Sequence, residues 1–192
     1  MSLQIASKKL KIPKVKLLTY EDYARLTPPD SGNYELHNGQ IIYMASPAAE
    51  HQRISRKLVR KLDNYIEGKN LGELFYAPLD TSFTIHDTFQ PDILFIDKSR
   101  LHIIKRIIEG TPDLVVEILS PGNPAKEMSY KKYIFEATGV REYWLVNPDN
   151  QTVSQYENIG GELLRLHILG INDTLQSITV EGFELPVKAI FD

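Results

Sequence analysis

The feature that most constrains the fold is a short apolar segment in the middle of the chain that carries one carboxylate. Residues Gly110–Pro124 read GTPDLVVEILSPGNP, and Leu114–Leu119 within them are mostly β-branched or aliphatic, between Pro112 and Pro121. Such a run is typical of a strand that is buried on both faces. Glu117 lies inside the run, and a buried carboxylate loses its hydration unless another group pairs with it. The segment therefore predicts a buried strand and a partner for Glu117.

The residues before this strand predict a helix and a hairpin. Residues 19–26 (TYEDYARL) are expected to form a short helix with Thr19 as its cap. Asn38-Gly39 separates two strand-like segments, and a type I′ turn needs positive φ at both of its central residues. We therefore expect a β-hairpin here, after a basic N-terminal arm at residues 1–18.

A long helix is predicted next. Ser46-Pro47 is expected to cap and open it, and Gly68 to end it. Apolar residues recur every four positions within it, at Ile54, Leu58, Leu62 and Ile66. Its other faces carry basic residues at Arg53, Arg56, Lys57, Arg60 and Lys61. These charges indicate either a solvated helix face or contacts with phosphate.

Further strands and one more helix follow. GELFYAPLDTSFTI and FQPDILFI are expected to pair as antiparallel strands around His86-Asp87. The segment NPAKEMSYKKYIFEATG predicts a second helix between Asn123-Pro124 and Gly139. REYWLV, TVSQYEN and ELLRLHIL are predicted strands, and the last twenty residues are expected to add strand and an edge. The whole is a single α/β domain at residues 19–192.

Two acids in neighbouring predicted strands indicate a metal site. Asp92 begins the apolar strand predicted in QPDILFI, and Glu117 lies inside the apolar strand predicted in LVVEILS. If the strands are adjacent, the two carboxylates converge and repel, and a divalent cation relieves that repulsion. Oxygen ligands without cysteine or paired histidine favour Mg²⁺ or Mn²⁺ over zinc. The alternative is a structural ion pair with Lys131 or an arginine.

The helix after Glu117 offers a cation to this site. At about 100° per residue, Lys131 falls between Ile134 and Phe135 on the apolar side, whereas Lys132 falls outside it. An inward lysine requires a carboxylate or a phosphate as partner. The alternative is a lysine whose ammonium group extends to water along the helix surface.

Composition limits the classes of function. The chain has no cysteine, which excludes thiolate zinc sites and cysteine nucleophiles and fits a reducing cytoplasm. A formal net charge of -3 argues against a purely electrostatic binder of nucleic acid or membrane. No apolar run approaches the roughly 20 residues of a membrane span, so no membrane partner is expected.

Five segments together resemble a known family. They are YELHNGQIIYMASPAAEHQRI, APLDTSF, QPDILFI, GTPDLVVEILSPGN and YKKYIFEATGVREYWLVNP. In this order they are similar to the Uma family of restriction-endonuclease-like proteins, a branch of the PD-(D/E)xK nuclease superfamily, over about residues 20–156. The resemblance implies a restriction-endonuclease-like α/β fold: a mixed central sheet flanked by helices, with additional antiparallel strands.

The resemblance also implies roles for the acidic and basic residues. Asp92 matches the first acidic position and Glu117 the acid of the (D/E)xK element, so both would bind metal, with the Ile118 carbonyl as a third oxygen. Leu119 stands where that element has its lysine, and Lys131 is the expected replacement. Glu35 matches a further acidic position and would bind metal through water; the alternative is an exposed strand residue.

Three other residues are expected to contact substrate. His51 at the start of the long helix would contact a phosphate, with a capping or surface role as the alternative. Gln90 would hydrogen-bond a ligand in the same cleft, with a structural bond as the alternative. Arg53, on the charged side of the helix, completes this set.

The function implied is a divalent-metal-dependent endonuclease that acts on DNA. A homodimer is expected by analogy with many nucleases of this type. Two alternatives remain: a nucleic-acid-binding or scaffold protein that keeps the fold without turnover, and a hydrolase of some other phosphoester.

Overall fold

The structure, a computed structural model, describes residues 16–27, 33–120 and 125–192, with only the main chain of 125–127. Most of the expected basic arm and the Asn123-Pro124 pair lie outside these residues. The helices within them are α1 Tyr20–Leu26, α2 Ala49–Lys69, a 3-10 helix Lys98–Ile103, α3 Ala125–Thr138 and α4 Lys188–Phe191. No helix of the described ranges is long and apolar enough to cross a membrane.

The strands of the described residues form three sheets. They are β1 Tyr34–His37, β2 Gln40–Tyr43, β3 Gly72–Tyr76, β4 Thr81–Thr84, β5 Asp87–Phe89, β6 Ile93–Asp97, β7 Ile108–Glu109, β8 Leu114–Ile118, β9 Glu142–Asn147, β10 Thr152–Ile159, β11 Glu162–Leu169, β12 Thr174–Gln176 and β13 Glu184–Pro186. The central sheet has the order β11-β10-β9-β8-β6-β3, a second sheet the order β2-β1-β5-β4-β7, and β12 pairs with β13. Because β8 is parallel to β9 and antiparallel to β6, the central sheet is mixed.

The predicted buried strand is β8, and all five of its residues are buried. α2 covers one face of the central sheet, where it packs against Val116 and Ile118. α3 packs on the other face, against Val115. Side chains alternate between the faces of a strand, so Glu117 points toward the side of the sheet that α3 covers.

The local predictions for the first helix and the hairpin are confirmed. Thr19 caps α1, and its hydroxyl accepts a hydrogen bond from the main-chain N–H of Asp22. β1 and β2 pair through a turn in which Asn38 and Gly39 have φ of 46° and 68°. Both values are positive, as a type I′ turn requires.

α2 differs from its prediction at both ends. It starts at Ala49 with Ala48 as N-cap and no side-chain cap, because the chain through Ser46 and Pro47 remains outside the helix and lines a cleft. Gly68 lies inside the helix, and the C-cap residue that follows Lys69 is Asn70, which adopts the left-handed conformation. Asparagine adopts this conformation more readily than other residues with a side chain, so it supplies the stop.

The segment expected as one strand before the His86-Asp87 turn is divided between two sheets. β3 pairs antiparallel with β6 in the central sheet, and β4 pairs antiparallel with β5 in the second sheet. The division falls at Ala77-Pro78, which lies between β3 and β4. Proline has no N–H to donate to a strand ladder, which favours a break there. The antiparallel pairing was therefore predicted correctly, and the single strand was not.

The C-terminal residues form a small sheet of their own rather than an edge of the central sheet. A buried carboxylate, Glu142 at the start of β9, joins this region to the central sheet. It accepts six hydrogen bonds, from Trp144 Nε1, Gln155 Nε2, Ser177 Oγ, Ile178 N, and the N and Oγ1 of Thr179. Four of these bonds come from Ser177, Ile178 and Thr179, so this one side chain connects the loop after β12 to the central sheet.

We expect Glu142→Gln to lower the free energy of unfolding by about 3 kcal/mol, because an amide has one acceptor oxygen and turns its own N–H groups toward buried donors. Denaturant unfolding followed by the fluorescence of Trp144, the single tryptophan of the chain, measures this loss. Glu162→Gln, at an exposed position of β11, should change stability by no more than about 0.5 kcal/mol. Equal stabilities for the two variants would contradict a structural role for Glu142.

Candidate active site

Asp92 and Glu117 lie opposite each other on adjacent strands. Ile93 of β6 pairs with Val116 of β8 in an antiparallel register, so continuing that register by one residue sets Asp92 beside Glu117. Residues directly opposite in an antiparallel pair project to the same face of the sheet. Both side chains line the same cavity. The convergence predicted from the two strand patterns is thus present.

The Asp92 carboxylate is held through one of its oxygens. Its Oδ2 accepts a hydrogen bond of 2.7 Å from the main-chain N–H of Ile118 and lies 3.1 Å from His51 Nε2. Among the described residues, both hydrogen bonds of this side chain end on Oδ2. Oδ1 is therefore available to a ligand in the cavity.

His51 is buried, although a surface role was one of the expectations for it. Its Nε2 faces Asp92, and an ionised carboxylate only accepts hydrogen bonds, so Nε2 carries the proton in the neutral ring. Nδ1 is buried and has no hydrogen-bond partner among the described residues. The ring contacts the acid rather than solvent.

Glu117 contacts a buried ammonium group. Lys131 Nζ lies 3.3 Å from Glu117 Oε1 and 2.9 Å from Glu35 Oε1. The relative exposures of Lys131, Glu117 and Glu35 are 3%, 5% and 1%, so water screens these pairs weakly. The inward orientation predicted for Lys131 is present, and Lys132 instead donates to the main-chain oxygen of Leu163.

Glu35 is saturated by hydrogen bonds and is not the exposed residue of the alternative expectation. Oε1 accepts from the main-chain N–H of Gln90 at 2.8 Å as well as from Lys131. Oε2 lies 2.8 Å from His37 Nε2. The His37 ring in turn stacks on Tyr130, at 5.7 Å between centroids. With both oxygens engaged, Glu35 is suited to holding Lys131 in place.

The pKa values of the two carboxylates beside Lys131 are shifted in opposite directions. For Glu35, burial alone would raise the pKa, but Lys131 and hydrogen bonds from His37 and Gln90 outweigh it and lower the pKa to about 2. For Glu117, burial outweighs the attraction of Lys131, and repulsion from Asp92 and Glu35 adds to it, so the pKa rises to about 8. The cluster therefore has too little positive charge to keep all of its acids ionised.

A cleft of about 420 Å³ opens onto these groups. This volume is in the range of small-molecule sites. Its lining includes the acids and Lys131, and also Gln90, Ile118, Ser120 and the segment Met44–Ala48 before α2. Gln90 donates its side-chain N–H to Asp80 Oδ1 at 2.9 Å, so the structural bond foreseen as an alternative is present.

Of the residues predicted to act together, only Arg53 lies away from the cleft. Glu35, His51, Gln90, Asp92, Glu117, Ile118 and Lys131 all line it. Arg53 is exposed on α2 and is not among the lining residues. Sequence reasoning missed His37, whose alternation with Glu35 along β1 places both on one face.

The oxygens of the cleft are chemically suited to a hard cation. The carboxylates of Asp92 and Glu117 line the cleft together with Ile118, and Mg²⁺ commonly binds one or two carboxylates and keeps several waters. No group of three or more His, Cys, Asp or Glu side chains in the described part of the chain is arranged to hold a metal ion. A larger side-chain cage is thus absent there, and the raised pKa of Glu117 indicates a shortage of positive charge.

The raised pKa of Glu117 predicts a pH-dependent stability. The folded pKa of about 8 lies above the ordinary value of 4.5, so the unfolded chain loses this proton first as pH rises. We expect Glu117→Gln to be nearly as stable as the wild type at pH 4.5 and increasingly more stable up to pH 8. Thermal unfolding in EDTA across this window measures the difference. Glu50→Gln, exposed on α2, is the control, and a gap that does not grow with pH would contradict the assignment.

Comparison with known proteins is consistent with this fold. The chain is 22% identical over 169 residues to an uncharacterised protein of Synechocystis sp., a match that covers 86% of this chain and 95% of that protein. A crystal structure described as a "putative nuclease belonging to DUF820" from Anabaena variabilis superposes with a TM-score of 0.78 at 23% identity, covering 91% of this chain and 97% of that one. This likeness confirms the mixed α/β fold of the restriction-endonuclease-like class. A family model described as "Uma2: Putative restriction endonuclease" matches residues 20–188, and the chain therefore belongs to the Uma2 family.

Proposed function

We propose that this protein is a divalent-metal-dependent endonuclease that hydrolyses phosphodiester bonds of DNA. The observation that carries the proposal is the pair Asp92 and Glu117, opposite each other at a cleft, with the Lys131 ammonium 3.3 Å from Glu117. Two acids and a lysine are the groups that the nuclease chemistry of this family requires. Membership of the Uma2 family supports the same reaction class.

Asp92, Glu117 and the Ile118 carbonyl are the groups that would hold Mg²⁺ or Mn²⁺. Asp92 offers Oδ1, since its hydrogen bonds end on Oδ2. Glu117 offers Oε2, since Lys131 contacts Oε1. When bound, such an ion supplies Lewis-acid polarisation of the scissile phosphate and lowers the pKa of water.

Lys131 supplies positive charge where the phosphate becomes more negative in the transition state. The absence of a lysine at Leu119 does not leave the site without a cation, because α3 delivers Lys131 to Glu117 from the same face of the sheet. Burial makes its charge effective, since few waters screen it. Its neighbours also keep it protonated, because Glu117 and Glu35 outweigh burial and raise the pKa of Lys131.

We assign Glu35 and His51 to positioning rather than to direct metal or phosphate contact. Glu35 anchors Lys131 with one oxygen, and His37 fixes the other. His51 holds the Asp92 carboxylate by Oδ2, which leaves Oδ1 for a ligand. Gln90 lines the cleft and remains a candidate for substrate contact.

The proposal extends to the whole protein. We propose that residues 19–192, which follow the basic segment 1–18, form one domain that carries this site. The protein would act in the cytoplasm on DNA, and a homodimer would let two such sites cut both strands.

A cleavage assay tests the reaction. With Mg²⁺ or Mn²⁺ the wild type should cleave labelled DNA, and EDTA should abolish cleavage. Asp92→Asn and Lys131→Met should each lower the rate by about a hundredfold or more, and Asp92→Asn should also abolish Mn²⁺ binding in calorimetry. Asp63→Asn, on α2 outside the cleft lining, is the matched control and should cleave at the wild-type rate.

The outcomes separate the alternatives. DNA binding without cleavage under any metal would favour a scaffold protein. Cleavage of small phosphoesters but not DNA would favour another hydrolase. Full activity in Asp92→Asn would refute the site itself.

The positioning role of His51 has its own test. His51→Ala should weaken Mn²⁺ binding about 10- to 100-fold, as the loss of a group that orients a metal ligand does. His51→Gln should retain more of the affinity, because its amide N–H can reach the position of Nε2. Calorimetric Mn²⁺ titration measures both, with Asn64→Ala, at an exposed residue of α2 outside the cleft lining, as control. Lower stability with unchanged Mn²⁺ affinity in both His51 variants would reduce His51 to a packing role.

A further inference from the structure

One side of α2 carries a row of exposed positive charges. We call Arg53, Arg56 and Arg60 the α2 basic stripe; all three are exposed, and helical spacing places them within about 60° of one another on the side away from the buried residues Ile54 and Leu58. Lys57 lies among them and donates to the main-chain oxygen of Asp192. The stripe is a local feature of a chain whose formal net charge is -3.

The side chains of the stripe are unpaired among the described residues, although Glu50 and Asp63 lie three positions from Arg53 and Arg60 along α2. Within these residues, none of its three guanidinium groups forms an ion pair with a carboxylate. Arg53 and Arg56 are three residues apart, and Arg56 and Arg60 four apart, so like charges are neighbours on the helix surface. Each such pair destabilises a helix by about 0.2–0.5 kcal/mol. A bound polyanion would remove this repulsion.

The stripe begins beside the proposed active site. Ala48, His51 and Gln52 line the cleft at the start of α2, and Arg53 is the next residue along the helix. From Arg53 to Arg60 the helix rises about 10 Å, close to the rise of three phosphates along one DNA strand. Duplex bound at the cleft could thus continue along α2.

We propose that the α2 basic stripe binds the phosphate backbone of duplex DNA and holds it at the cleft. The inference rests on the proposed function, since it assumes that DNA is the substrate. Arg53 was expected to contact substrate within the cleft; in this proposal it instead contacts the DNA backbone outside the cleft. An anionic membrane is the less suitable partner, because the apolar side of α2 is buried against the central sheet and cannot enter a lipid surface.

Salt-dependent DNA binding tests this proposal without requiring cleavage. Binding of a fluorescent duplex is measured by anisotropy in EDTA over a range of salt concentrations for the wild type and Arg53→Gln/Arg56→Gln/Arg60→Gln. The magnitude of the slope of log affinity against log salt should fall by about 0.9 for each phosphate that the variant no longer neutralises. Affinity at low salt should fall about tenfold or more.

A control variant separates position from net charge. Lys98→Gln/Lys105→Gln/Arg165→Gln removes three exposed cations from other elements and changes the net charge by the same amount. It should bind DNA with nearly the wild-type slope. Both triple variants should melt no lower than the wild type and keep its Mn²⁺ affinity, which shows that the cleft is intact.

The results distinguish this surface from the proposed reaction. Equal salt slopes of DNA binding in the two triple variants would contradict the DNA-binding role of the stripe. The same conclusion would follow if the wild-type protein cleaved DNA with metal but did not bind it in EDTA. If the α2 variant lost DNA binding and no form of the protein cleaved DNA, the binding role of the stripe would stand and the nuclease proposal would fail. Binding to anionic vesicles that depends on the stripe, with unchanged DNA binding, would assign it to a membrane instead.

Discussion

The candidate site depends on one buried ammonium group shared by two buried carboxylates. Lys131 reaches across from α3 to Glu35 on β1 and Glu117 on β8. Within this cluster Lys131 and Glu35 are the pair whose separation would be strongly destabilising, because the remaining charge would be buried with neither water nor a counter-ion. The position of α3 on the sheet, the rotamer of Lys131 and the burial of both acids are therefore coupled, and a change in any one affects the others.

The same cluster explains why a cation would be favoured at the cleft. Lys131 supplies one positive charge, while Glu35, Asp92 and Glu117 can supply three negative ones. Glu35 receives most of the stabilisation, through Lys131 at 2.9 Å and through His37 and Gln90. Glu117 is left with a raised pKa, and it contacts Lys131 through Oε1 alone. A divalent ion at this point would complete the charge balance that the protein alone leaves unfinished.

Local sequence patterns predicted the elements that carry the site with good accuracy. The apolar run identified β8 as buried, and helical periodicity placed Lys131 rather than Lys132 on the inner side of α3. Both signals depend on neighbours within a few residues, which is the range over which strand alternation and helix geometry act. The predictions at the start and end of α2 were wrong because the competing signals there, Ser46-Pro47 and Gly68, are each compatible with more than one local structure.

Contacts between distant segments could not be obtained in this way. His51 and Asp92 are 41 positions apart, and Glu35 and Lys131 are 96 apart. No local pattern indicates that His51 turns to Asp92, just before β6, or that Glu35 is buried rather than exposed on a hairpin. These outcomes follow from which faces of the two sheets and two helices meet.

The sequence by itself determined that a carboxylate lies in a buried strand, that a second acid begins another strand, and that a lysine turns inward from a helix. Periodicity and the cost of an unpaired buried charge are sufficient for these statements. Only the tertiary structure decided that the groups meet in one cleft, and which oxygens remain available to a ligand. The register between β6 and β8 and the packing of α3 decide this, and both result from the simultaneous burial of many apolar side chains far apart in the chain.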